Sequence, residues 1–114
     1  MELIQIDISK QLAPNPISTY YVHCIGDSML DACIPDKAIL TVDKSLEAHS
    51  GDIIVAYING GFTVKYIRFD EGKCFLIPAN NSKKYPTTEI TTDQEMVIWG
   101  VVTNVVIYTK HLKR

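Results

Sequence analysis

The sequence predicts a mostly-β fold, a compact and partly open β-barrel or sandwich of short strands. Segments rich in β-branched and aromatic residues recur along the chain at a spacing of roughly 8–15 residues, which is typical of all-β domains. The clearest local signal is Asn59-Gly60-Gly61 between two such segments, because Asn-Gly supplies the positive φ angles of a tight hairpin turn. No segment has the apolar periodicity of a helix of three turns, so the expected helix content is one short turn that starts near Ser28.

Runs of β-forming residues predict six strands. They span residues 19–24, 38–43, 53–58, 62–69, 74–78 and 96–110. The last run is too long for one flat strand, so we expect Gly100 to mark a bulge or a bend within it. Residues 79–95 are polar and predict a loop, with at most an edge strand inside it.

The N-terminal residues predict an arm rather than a part of the core. Pro14 and Pro16 disfavour a helix and favour extended chain. We therefore expect residues 1–18 to form an extended N-terminal arm and residues 19–114 to form one folded domain. A chain of 114 residues fits a single domain of common size.

Composition excludes several classes of function. Eleven basic and thirteen acidic residues give a formal net charge of −2, so the chain lacks the basic surface that binds DNA or an anionic membrane directly. The three cysteines, Cys24, Cys33 and Cys74, form no CxxC pair, which disfavours a zinc or redox site and favours their burial as small apolar residues. The sequence shows no leader and no apolar run of roughly 18 residues, so a reducing cytoplasm is expected.

A candidate nucleophile lies in the tetrapeptide Gly26-Asp27-Ser28-Met29. Glycine before a serine allows backbone and substrate to approach closely. If Ser28 opens a short helical turn, nearby backbone N–H groups could hold a developing oxyanion. The alternative is that Asp27 and Ser28 only cap a turn, as these residue types often do.

A candidate base lies in the predicted strand 62–69, where Lys65 stands among apolar residues on both faces. A strand that is apolar on both faces tends to be covered on both, and burial lowers the pKa of a lysine. A neutral lysine can take the proton of a serine hydroxyl. The alternative is a lysine whose stem lies on the sheet while its charge stays in water.

Taken together, the two motifs resemble the LexA/UmuD family of S24-type self-cleaving serine peptidases. The resemblance rests on "GDSM" followed by "FTVK", with serine and lysine 37 positions apart, and on "AILTVD", "SGDIIVA", "CFLIPANN" and "VIWGVVTNVV". It covers nearly the entire chain from about Ile6. It implies the LexA/UmuD peptidase fold, with Ser28 as nucleophile, Lys65 as general base, and Gly26, Asp27 and Met29 shaping the site and its oxyanion hole. It implies neither a metal nor a cofactor.

The family's self-cleavage bond is missing from the sequence. Members cut their own N-terminal arm at an Ala-Gly or Cys-Gly bond, and no glycine here follows alanine or cysteine. Only 27 residues precede Ser28. The resemblance is therefore to the processed, shortened form of UmuD-like members, and we expect no DNA-binding repressor segment.

The resemblance also implies partners. The processed UmuD-like form is a homodimer that joins an error-prone, UmuC-like Y-family polymerase subunit to make polymerase V, which copies damaged DNA in the SOS response with the RecA filament. DNA contact would then be indirect. Within this chain, the apolar stretch 97–108 is either a dimer edge or the central strand of the core.

The other hypothesis about function is an active serine peptidase that cuts a UmuD/LexA-like partner in trans. A signal peptidase shares serine–lysine chemistry but is disfavoured by the lack of an apolar span.

The histidines are weaker candidates. His23, His49 and His111 are scattered along the chain, and none has a partner at the spacing of a metal site or a catalytic triad. His23 lies five residues before Ser28, but no group is evident that would orient it as a base.

Overall fold

Seven strands form one antiparallel sheet in the computed structural model, which describes residues 1–82 and 85–110. Their order in the sheet is β1-β2-β7-β3-β4-β5-β6, so β1 and β6 lie at the two ends and the sheet is not closed. The predicted mostly-β, partly open fold is confirmed. The strands are β1 (Thr19–His23), β2 (Ile39–Asp43), β3 (Ile53–Ile58), β4 (Gly61–Asp70), β5 (Lys73–Ile77), β6 (Thr88–Ile90) and β7 (Met96–Val106).

The predicted hairpin is confirmed in position and in geometry. Strands β3 and β4 are joined by Asn59 and Gly60, whose φ angles are 52° and 81°. Both residues are in the left-handed region, as a primed two-residue turn requires. This hairpin fixes the register of β4 and therefore the face on which Lys65 lies.

Strand β7 occupies the middle of the sheet, and its two halves pair with different neighbours. Residues from Met96 to Val101 pair with β3, whereas residues from Val101 to Val106 pair with β2. Strand β7 lies between β2 and β3, so the stretch 97–108 provides the central strand of the sheet, as one of its two interpretations expected. Each half still has one unpaired side among the described strands, so its use in a homodimer stays a prediction.

The predicted irregularity at Gly100 is confirmed. The pairing with β3 shifts register between Val55 and Ala56, which leaves Trp99 as an extra residue next to Gly100. Gly100 is buried, and a Cβ atom there would lie 2.5 Å from Cγ1 of Val42. Glycine at this position therefore permits the bulge, and it also allows β7 to approach β2 closely because it has no side chain.

Apolar side chains cover both faces of the sheet. One buried cluster includes Met29, Leu40 and Val42, and the other includes Ile54 and Ile67. Met29 follows Ser28 directly and is 1% exposed, so the first cluster anchors the turn that carries the candidate nucleophile. Neighbouring residues of a strand point to opposite faces, and strands β3, β4 and β7 accordingly contribute to both clusters.

The N-terminal arm is not extended throughout. Residues Ile8–Leu12 form a short helix, α1, because the side chain of Asp7 caps it by accepting a hydrogen bond from the Ser9 N–H. A 3₁₀ turn, Pro16–Ser18, then leads into β1. No residue of α1 is buried. The division into an arm, 1–18, and a folded domain stays a proposal.

Asp43 ties the end of the arm to β2. Its buried carboxylate accepts hydrogen bonds from Asn15 Nδ2 at 3.0 Å and from Ser18 Oγ at 2.8 Å. Ser45 donates to it from both its backbone N–H and its hydroxyl. These donors favour the charged form, so they hold the pKa of Asp43 well below its ordinary value of 3.8.

None of the helices in the described part of the chain has the length and apolar character needed to cross a bilayer.

Candidate active site

The turn that carries Ser28 follows β1. Gly26 has a φ of 107°, a conformation that favours glycine, and its N–H donates to Oδ1 of Asp36 at 2.8 Å. A 3₁₀ turn begins at Leu30, two residues after the start that the sequence predicts for the short helical turn. Ser28 lies just before this 3₁₀ turn. It is half-buried, and its hydroxyl faces β4.

Strand β4 places Lys65 against Ser28. The Nζ atom of Lys65 lies 3.0 Å from Ser28 Oγ, 2.8 Å from Thr63 Oγ1 and 3.1 Å from the carbonyl oxygen of Val64. Thr63 and Lys65 lie on the same face of the strand because side chains alternate with a period of two. The structure therefore brings the two predicted catalytic residues together and adds Thr63, which the sequence did not single out.

The environment of Lys65 disfavours its charge. Burial lowers the pKa of Lys65 below its ordinary value of 10.5, and only the charged thiolate form of the neighbouring Cys24 would oppose this shift. Burial also raises the pKa of Cys24, so its thiol stays protonated at pH 7 and supplies no negative charge there. Among residues 1–82 and 85–110, no carboxylate forms an ion pair with Lys65. Lys65 is therefore the partly desolvated lysine that the sequence predicts, and not a lysine whose charge extends into water.

A cavity of about 640 Å³ opens onto the two residues. It is large enough for several residues of a peptide. Its walls come from β1 and from the start of β4, although three strands separate these two in the sheet order. The walls are mostly apolar, and the polar groups gather at the Ser28 end; the lining includes Val22, Ile25, Val55, Phe62, Val64 and Trp99 together with Ser28, Thr63, Lys65 and Tyr85.

Three backbone N–H groups of the Ser28 turn have no acceptor. Within the described part of the chain, the N–H groups of Asp27, Ser28 and Met29 find no hydrogen-bond acceptor. The carboxylate of Asp27 does not cap them. The alternative in which Asp27 and Ser28 only cap a turn therefore does not describe this segment, and these three donors remain free to bind an oxyanion.

Ala79 and Asn80, from the segment that follows β5, hold the Ser28 turn through hydrogen bonds. The Ala79 N–H donates to the Ser28 carbonyl oxygen at 2.8 Å, and the Asp31 N–H donates to the Ala79 oxygen at 2.6 Å. Asn80 Nδ2 donates to the Asp27 carbonyl oxygen at 2.6 Å. The sequence predicts a loop over residues 79–95. It contains the motif "LIPAN", but the contact of this motif with a turn some 50 positions earlier depends on how the sheet folds, and no local pattern predicts it.

The other candidate residues make no hydrogen bond to Ser28 or Lys65 among the described residues. His23 lines the cavity, but its Nδ1 lies 3.2 Å from the Lys37 carbonyl oxygen and does not contact Ser28. His111 lies outside the described residues. Cys24 is buried as expected and Cys74 is half-buried, whereas Cys33 is exposed, so the expectation of burial is wrong for that residue.

Comparison with known proteins identifies the class. The family model described as Peptidase S24-like matches residues 2–103. The chain therefore belongs to the Peptidase S24-like family.

The relatives within this family are consistent with the LexA/UmuD resemblance, which is confirmed. The chain is 39% identical to Protein MucA of Salmonella typhimurium over 104 residues, which cover 90% of this chain and 69% of MucA. It is 33% identical to Protein SamA of Salmonella typhimurium over 87% of this chain and 66% of SamA. The LexA repressor of Alcanivorax borkumensis is 39% identical over 73% of this chain but only 39% of its own length.

Proposed function

We propose that this chain is an accessory subunit of an error-prone translesion DNA polymerase in the SOS response to DNA damage. The observation that carries the proposal is its similarity to MucA over 90% of its length, together with the UmuD-type motifs of the sequence. It would act as a homodimer with a UmuC-like Y-family polymerase subunit and the RecA filament. A net charge of −2 agrees with indirect contact with DNA, and a cytoplasmic location is part of the proposal.

Capture by a polymerase subunit tests this role. The unmodified chain and its Ser28→Ala variant should both co-purify with a UmuC-like Y-family subunit, because binding would not need the nucleophile. The LexA repressor, which shares the family but serves here as a control chain, should be captured less. Failure of both forms of the chain to bind would count against the subunit role.

The second candidate function is peptide-bond cleavage in trans. It is favoured by the 3.0 Å contact between Lys65 and Ser28 and by a cavity that no residue of the described arm, 1–18, lines. A protonated lysine has three N–H donors and no acceptor, whereas the neutral amine has a lone pair. Once Lys65 is deprotonated, the same contact can reverse, with the Ser28 hydroxyl donating to Nζ.

Formation of an acyl-enzyme would run through two proton transfers. Lys65 takes the Ser28 proton while Oγ attacks the carbonyl carbon, and the N–H groups of Asp27, Ser28 and Met29 stabilise the oxyanion. Lys65 then gives the proton to the leaving amine, and the C–N bond breaks to leave an acyl-serine. Water next gives a proton to Lys65 as it attacks the ester, and Lys65 returns that proton to Ser28 Oγ as the C–O bond breaks.

The substrate would bind in extended form. Residues 61–65 of β4 pair with β3 on one side, while β5 pairs only from Tyr66 onward. The other side of residues 61–65 is therefore available to a peptide strand. It lies beside Lys65 and along the apolar wall formed by Phe62 and Val64.

A trans-cleavage assay tests this activity. The substrate is a longer UmuD-like chain that carries a Cys-Gly bond and lacks its own serine nucleophile. The unmodified protein should cut it, whereas Ser28→Ala and Lys65→Ala should each lose activity by roughly a thousandfold or more. The matched control Lys73→Ala removes an exposed lysine and should leave the rate unchanged. No cleavage by the unmodified protein would overturn the trans-peptidase function.

A further inference from the structure

The carboxylate next to the nucleophile is held by a residue that the proposed reaction does not use. Tyr85 donates a hydrogen bond from its hydroxyl to Oδ1 of Asp27, and 58 positions separate the two residues. This bond to a carboxylate raises the pKa of the Tyr85 phenol above its ordinary value of 10.0. Tyr85 also lines the cavity.

Without that bond, Asp27 would have another partner within reach. The 3₁₀ turn begins at Leu30, and Asp27 opens the tight turn before it, in which the Leu30 N–H donates to the Asp27 carbonyl oxygen at 3.2 Å. An aspartate in this position readily accepts a hydrogen bond from the backbone N–H two residues later, which here belongs to Met29. The Met29 N–H is one of the unused donors. A carboxylate bound there would occupy it and would repel a developing oxyanion.

Asn80 also restrains the backbone of Asp27. Asn80 Nδ2 binds its carbonyl oxygen at 2.6 Å, so Asn80 and Tyr85 hold the backbone and the side chain of the same residue. The neighbouring Gly26, with a φ of 107°, puts no side chain against this residue. The orientation of the Asp27 carboxylate therefore depends on Tyr85.

We propose that Tyr85 is a positioning residue that draws the Asp27 carboxylate away from the oxyanion donors of the Ser28 turn. The inference rests on the proposed peptidase function for its catalytic consequence, but its structural content is independent of that function. The hydroxyl of Tyr85 bonds to Asp27 and to neither Ser28 nor Lys65. It acts through Asp27.

Kinetics of three variants test the catalytic consequence. In the trans-cleavage assay, Tyr85→Phe keeps the ring but loses the hydroxyl, so kcat should fall about tenfold with KM unchanged, as expected for loss of a hydrogen bond to a charged group. The double variant Tyr85→Phe/Asp27→Ala should regain most of that loss, because the competing carboxylate is gone. Tyr21→Phe, which alters an exposed tyrosine outside the cavity, is the matched control.

The second measurement needs no peptidase activity. Amide hydrogen exchange of Met29, followed by NMR, should slow about tenfold in Tyr85→Phe, because its N–H gains the Asp27 acceptor, and should return to the original rate in the double variant. Unchanged exchange in Tyr85→Phe would overturn the proposal, whether or not the protein cleaves peptides. Slower exchange without any cleavage by the unmodified protein would support the positioning role and overturn the peptidase function alone. A rate lost in Tyr85→Phe and not regained in the double variant would overturn the proposal in favour of a general structural role for Tyr85.

Discussion

At the scale of single residues, the burial of one lysine decides the chemistry. Lys65 is half-buried, and its ammonium would be bound to two hydroxyls and a carbonyl oxygen rather than to a carboxylate. Neutral acceptors compensate for lost hydration less well than an anion does, so the neutral amine is favoured. This is the condition that a lysine general base requires.

The rate of cleavage should therefore depend on pH through Lys65. We expect the rate to rise as the pH increases through the lowered pKa of Lys65, since only the neutral amine accepts the Ser28 proton. Lys65→Arg should be inactive at every pH, because the guanidinium stays protonated. A pH–rate profile of both proteins makes the comparison, and a flat profile for the unmodified protein would argue against lysine as the base.

Lys65 should also affect stability in a defined direction. Its folded-state pKa is below its ordinary value of 10.5, so the unfolded chain binds more protons between the two values. The free energy of unfolding therefore rises with pH in that window. Urea titrations at several pH values should show a smaller rise for Lys65→Met than for the unmodified protein, and equal slopes would contradict the lowered pKa.

At the scale of elements, the strands were predictable because their signals are local. The hairpin at Asn59 and Gly60 needs only a turn sequence between two β-rich runs, and the bulge next to Gly100 was visible as a glycine in an overlong apolar run. Helix α1 was not predicted, because Pro14 and Pro16 favour extended chain and the helix capped by Asp7 ends before them. The hydrogen bonds of Ala79, Asn80 and Tyr85 to the Ser28 turn were not predicted, because they depend on strand order.

The close packing at Gly100 predicts a marked cost for a methyl group. Gly100→Ala places a Cβ 2.5 Å from Val42 Cγ1 and 3.3 Å from the Asp43 carbonyl oxygen, so the free energy of unfolding should fall by about 1–3 kcal/mol. Gly61→Ala is the matched control, since a Cβ there meets nothing within 4 Å. Urea denaturation measures both. An equal effect of the two substitutions would contradict the packing between β7 and β2.

The link between the arm and β2 predicts a dependence of stability on pH. The folded-state pKa of Asp43 is depressed below its ordinary value of 3.8. Its contribution to the free energy of unfolding is therefore fully present above that ordinary pKa, and it is lost as the pH falls toward the lower folded-state pKa. Asp43→Asn should lower the free energy of unfolding at pH 7, and the difference from the unmodified protein should narrow as the pH falls below 3.8. Asp70→Asn, at an exposed position, is the control. A difference that stays constant with pH would contradict this role of the charge.

At the scale of the whole molecule, the division of β7 shapes the site. Because its first half pairs with β3 and its second half with β2, the sheet turns at Val101, and β1 and the start of β4 meet around one cavity. Local patterns in the sequence do not encode this meeting. The pairing of Ser28 with Lys65 was nevertheless predictable, because the resemblance to the family carried the three-dimensional arrangement that the spacing of 37 residues alone does not.

The pKa of the Lys65 side chain gives the most direct test of its proposed role as the general base. An NMR titration of the Lys65 side chain measures its pKa in the folded protein. We expect the pKa of Lys65 to be clearly below its ordinary value of 10.5. A Lys65 that titrates at that ordinary value would show a solvated ammonium beside Ser28, and would contradict its assignment as the base.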